Sequence, residues 1–61
     1  MSAYAKRQLK LALRALRASR THLALAAASP DPKVHQRAHV LGLQVNADIR
    51  RVREELFGVR R

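Results

Sequence analysis

The chain lacks cysteine and tryptophan, and it has one tyrosine, one phenylalanine, two prolines, two glycines and four acids in 61 residues. Without cysteine it can form neither a disulfide nor a thiolate metal site. That absence fits a reducing compartment, and a cytoplasmic location is the expectation. With Tyr4 and Phe57 as the only large aromatic residues, a core would be built mostly from Ala, Leu and Val. A chain of this length buries only about 60% of its unfolded surface. Folds this small usually rely on a disulfide, a metal, a partner or self-association. Long apolar runs are also missing: the longest, Leu23 to Ala28, falls far short of the ~20 residues a membrane span needs. Lys6, Arg7 and Lys10 interrupt the N-terminal apolar stretch, so no secretory signal is read there. The acid-poor, Arg- and Ala-rich start is similar in composition to a mitochondrial transit peptide, but the second half complements it as a folding partner.

What is present is positive charge. Thirteen Lys and Arg face four Asp and Glu, for a formal charge of +9, and residues 1–30 contain no acid. Ten of the thirteen cations are Arg, whose planar fork suits bidentate phosphate contacts. The balance favours a polyanionic partner: nucleic acid, an acidic protein surface or anionic lipid.

Both prolines lie in "ASPDPK", residues 28–33. Proline disfavours helix at the residue before it. Asp31 can cap a helix that has Pro32 at its first position, where a missing N–H costs nothing. The expected layout is all-α: an antiparallel two-helix hairpin with helices over about 3–28 and 32–57, a turn at 29–31, and Gly58 ending the second helix. A coiled-coil-like seam follows from apolar positions spaced four and three apart. On the first helix these are Ala5, Leu9, Ala12, Leu16, Ser19, Leu23 and Ala26. On the second they are Ala38, Gly42, Val45, Ile49, Val52, Leu56 and Val59. Gly42, inside the second helix, is read as a point of close helix approach.

At about 100° per residue, Lys6, Lys10, Arg17 and Arg20 fall on one side of the first helix, with Arg14 at its outer edge. His35, His39, Asn46, Arg50, Arg53 and Arg60 fall on one side of the second. Because the chain reverses, both sets are expected on one acid-free face. The nucleic-acid-binding set read from this is Lys6, Lys10, Arg14, Arg17, Arg20, His39, Arg50, Arg53 and Arg60. Arg37, Gln44, Asp48, Arg51 and Glu55 lie opposite, balanced in charge, with Arg51 spaced to pair with Asp48 and with Glu55.

A second apolar strip, Tyr4, Leu11, Ala15, Ala18, His22 and Leu25, is placed beside the seam of the first helix, and Val40, Leu43 and Ala47 face away from the seam of the second. One hairpin cannot cover all of these, and exposed apolar strips mark interfaces. The expected interface residues are Tyr4, Leu11, Ala15, Ala18, Leu25, Val40 and Leu43. A dimer completing a four-helix bundle, or docking as a subunit on a larger assembly, would cover them.

In length and layout the chain resembles the Rop family of dimeric RNA-binding hairpins, and that resemblance implies RNA contact on one helical face. No functional residue carries over from it. Over eight residues, "VNADIRRV" (45–52) is similar to the helical-hairpin protein of the large ribosomal subunit, with Asn46 and Ala47 where that family has paired basic residues.

Catalysis is not expected. Ser2, Ser19, Ser29 and Thr21 have no assembled base, the acids form no pair across a cleft, and a hairpin offers no pocket of the ~300 Å³ that ligand sites need. No phosphate-cradling glycine loop and no cofactor motif is present. His35 and His39, four apart, share a helix face and could hold a metal, but they read better as polar members of the basic face. Three functions compete. Nucleic-acid binding leads, with RNA or duplex favoured over single strands because stacking rings are scarce. A protein-interaction module docking on an acidic partner is the alternative. Membrane-surface binding, prompted by "LKLALRALRA", is weakened by the lack of Trp and Phe on that helix.

Overall fold

In a computed structural model the chain is a helical hairpin of α1 (Ala3–Ala26) and α2 (Pro32–Phe57), with no strand among the described residues. Residues 1–58 are described; the seam position Val59 and the basic-face residue Arg60 lie outside them.

Each helix end has a local cause. Ser2 caps α1, its hydroxyl accepting from the Ala5 N–H at 3.1 Å, and the Ala-, Leu-, Arg- and Lys-rich stretch that follows is made of strong helix formers. The helix stops at Ala26, slightly earlier than its sequence suggests. The Ala27 N–H still bonds four residues back, to Leu23 at 2.8 Å, but the two that follow bond three back, Ala28 to Leu25 at 3.2 Å and Ser29 to Ala26 at 3.0 Å, which tightens the last turn. Pro30 then bars helix at Ser29. The Ser29 hydroxyl accepts from the Asp31 N–H at 3.2 Å, and the Asp31 carboxylate accepts from the Lys33 N–H at 2.9 Å to start α2 behind Pro32. At the other end Gly58 sits at φ 82°, a conformation glycine adopts without strain, and its N–H donates to the Glu54 carbonyl at 2.8 Å.

Among the described residues only Leu13, Ala38 and Ile49 are buried, and none that is polar or charged. On α2 the seam is the expected one: Ala38 and Ile49 are buried, with Gly42, Val45, Val52 and Leu56 half-buried. On α1 it is so only in part. Ala5, Leu9, Leu16 and Leu23 line the contact as expected, but Ala12, Ser19 and Ala26 are exposed, and Leu13 and Ala27 take part in their place. The helix is turned so that a fourth leucine, Leu13, meets α2 in place of Ala12, because a leucine removes far more apolar area from water than an alanine. Gly42 does not mark close approach, since a Cβ there would meet nothing within 4 Å.

The hairpin is 11 Å through its thinnest dimension, about one helix deep. Its radius of gyration is 14.0 Å, against about 10.5 Å for a compact chain of this length. Its accessible surface of 5245 Å² exceeds by about 1,200 Å² what a compact monomer of its mass exposes. No described helix is long and apolar enough to cross a membrane.

Candidate nucleic-acid interface

With the buried lines of α1 and α2 facing each other, each helix has two flanks, and antiparallel pairing puts matching flanks on the same face. On α1 the division is complete. Lys6, Lys10, Arg14, Arg17 and Arg20 occupy one flank. Gln8, Ala12, Ala15, Ser19 and Ala26, all without charge, occupy the other. Turning the seam onto Leu13 also moves Arg20 close to α2.

The cationic face is crossed by open grooves that both helices line. One is bounded by Arg20, Asn46, Arg50, Arg53, Glu54 and Phe57. A second lies between Arg20, Leu23 and Ala27 of α1 and Ala38, His39, Leu43 and Asn46 of α2. A third joins Lys10, Leu13, Arg14 and Arg17 to Phe57. The structure thus brings Lys10, Arg14, Arg17, Arg20, His39, Arg50 and Arg53 to one face. Lys6 lies on the same flank, one turn before Lys10. The grooves measure about 300 to 520 Å³, larger than a hairpin was expected to offer, but they are troughs open to solvent.

Three features of this face differ from its sequence reading. Glu54 borders the groove, so the face is not free of acid. Leu43, expected at an interface facing away, lines the groove beside His39. Phe57, which sequence reasoning passed over, borders two grooves at once and is 65% exposed. Its spacing of four and seven from Arg53 and Arg50 was the available signal, since those intervals share a helix face.

His35 leaves the basic set. Its Nδ1 hydrogen-bonds the Ala27 carbonyl across the turn, so this side chain closes the hairpin. No group of three or more His, Asp or Glu that could hold a metal forms among the described residues.

The expected interface set is not gathered. Turning α1 puts Leu11, Ala18 and Leu25 on the edge remote from α2, not beside the seam, with Ala15 on the uncharged flank and Tyr4 between that flank and the edge. Val40 lies on the opposite edge, along α2. All seven residues are exposed. Between these edges, opposite the cations, lies a face made of the uncharged flank of α1 and of Val34, Arg37, Leu41, Gln44, Asp48 and Glu55. The Arg51 guanidinium meets the Asp48 carboxylate at 3.4 Å, with both side chains largely exposed. Glu55, also spaced for Arg51, makes no ion pair among those formed by the described residues.

The fold and this surface together describe a thin helical hairpin with one cationic and one charge-balanced face. Comparison with known proteins finds no family model, no curated protein and no solved structure that matches the chain. The two resemblances read from the sequence therefore gain no support from it.

Proposed function

We propose that the hairpin is a nucleic-acid-binding module that holds the phosphate backbone of structured RNA or a duplex against its cationic face. The observation that carries this reading is the gathering of Lys10, Arg14, Arg17 and Arg20 of α1 with His39, Arg50 and Arg53 of α2 around shared grooves. Cations three or four residues apart recur at about 5 Å along a helix. Two such rows beside a groove match a phosphate backbone better than a point-like anion. The binding is read by shape and charge, since nothing on this face resembles base-edge recognition in a groove.

A second copy completes the module. The excess surface exceeds the ~800 Å² per partner of a standard interface. Two cationic faces repel, so copies meet through the charge-balanced face, where Ala12, Ala15 and Ser19 allow close approach and Val34 and Leu41 supply apolar contact. The product is a four-helix bundle with cationic grooves on its two outer sides. A second reading, docking on an acidic protein, is favoured by Leu11, Leu25 and Val40, which stay exposed at the edges of such a dimer.

Fluorescence anisotropy against folded RNA, duplex DNA and single strands over a salt series tests the reading, beside the double variant Arg17→Glu/Arg53→Glu. Tight binding to structured RNA or duplex near ~150 mM salt, with a steep log–log dependence that the variant abolishes, is the expected result. Equally weak binding to all three, gone by that salt, would give the lead to a protein partner.

A further inference from the structure

Of Tyr4 and Phe57, the two large aromatic residues, Tyr4 lies off the groove-lined face and Phe57 lies among its cations. Burial does not explain the position of Phe57. The seam of α2 passes through Val52 and Leu56, and Phe57 stands about 100° round from it, two-thirds exposed. Phe57 lines two of the grooves on the cationic face. One is lined by Lys10, Arg14 and Arg17 of α1. The other groove is lined by Arg50 and Arg53 of α2 and, further along, by Arg20 of α1. Contact with a phosphate backbone alone has no use for an exposed phenyl ring in this place. A ring flanked by guanidinium groups is the arrangement that takes the flat face of a base while its neighbouring phosphates are held.

We propose that Phe57 is a stacking platform for a single unpaired nucleobase, and that the preferred ligand is RNA in which one unpaired base interrupts or ends a duplex. The strand crosses from α1 to α2, with one flanking phosphate on Arg14 and Arg17 and the other on Arg50 and Arg53. Glu54, the acid in this groove, keeps phosphate from its corner and leaves a hydrogen-bond acceptor beside the ring. A fully paired duplex presents no free base to Phe57. An unstructured strand lacks the fixed phosphate geometry that the two cationic rows would meet. This inference rests on the nucleic-acid reading above and specifies its ligand.

The test uses the full chain and two RNA duplexes of equal length, one with a single bulged 2-aminopurine and one with that base paired. Affinity is read by anisotropy and stacking by 2-aminopurine emission, for the unsubstituted protein, Phe57→Leu, Phe57→Trp and the control Tyr4→Leu. The bulged RNA is expected to bind about tenfold more tightly than the paired one, with a change in emission on binding. Phe57→Leu should bring the bulged RNA down to the level of the paired one, leave paired binding and helicity unchanged, and abolish the emission change. Phe57→Trp should restore the preference, and Tyr4→Leu should keep it. Equal binding of both RNAs, or a parallel loss for both in Phe57→Leu, overturns the stacking role while the phosphate-binding reading stands. Failure of both RNAs to bind overturns the two together.

Discussion

His35, in the first turn of α2, reaches back across the turn and donates its Nδ1–H to the carbonyl oxygen of Ala27, the C-cap of α1. The last carbonyls of a helix have no partner within it, and here a side chain eight residues on supplies one. The bond fixes the angle at which the helices leave the turn, and so the alignment of the cationic rows. Its removal in His35→Ala is expected to cost about 1 kcal/mol of stability, read as a lower urea midpoint by circular dichroism. His39→Ala, exposed on the groove, should stay within about 0.5 kcal/mol. Equal effects of the two substitutions would remove the special role of His35.

Asp31 starts α2, and its carboxylate accepts from the Lys33 N–H. Asp31→Ala should destabilise the hairpin by about 1 kcal/mol, whereas Asp31→Asn, which keeps an acceptor, should change it by little. Thermal unfolding of both variants checks this.

The seam of α1 runs through Leu13, not Ala12. Leu13→Ala is expected to cost about 2 kcal/mol, the lower end for a buried leucine because a one-layer hairpin can close partly around the gap. Ala12→Ser, on an exposed position, should fall within about 0.5 kcal/mol. The reverse order would restore the seam read from the sequence.

If the cationic face follows phosphates, each arginine on it contributes one contact. Arg17→Ala and Arg53→Ala should each reduce the slope of log affinity against log salt by about 1. Arg37→Ala, on the opposite face, should leave the slope where it was. Salt titrations by anisotropy make the comparison.

If copies meet through the charge-balanced face, Ala15→Glu/Leu41→Glu should convert a dimer to a monomer in sedimentation velocity. Leu11→Glu, at the outer edge, should not. A monomeric unsubstituted protein at micromolar concentration would end the dimer proposal and favour docking on another chain.

The sequence by itself determined the two helices, the turn and the seam of α2. Pro30, Asp31 and Pro32 act through their nearest neighbours, so their effect is local and legible. On α2 the apolar residues Val45, Ile49, Val52 and Leu56 recur on one stripe between polar flanks, which leaves a single way to bury them. The one-sided charge of α1 was legible for the same reason, because residues 1–30 hold only cations and neutral residues. The seam of α1 was legible only in part. Leu9, Leu16 and Leu23 were legible, but Leu and Ala recur on several sides of that helix, so periodicity alone admits more than one buried line, and only packing against α2 selected Leu13 over Ala12. That selection turned the helix, carried Arg20 to the groove and sent Leu11 and Leu25 to the far edge. The surroundings of Phe57 also belong to the tertiary structure. Its neighbours Lys10, Arg14 and Arg17 stand forty or more residues away in the chain, and no spacing rule within one helix reaches across to the other.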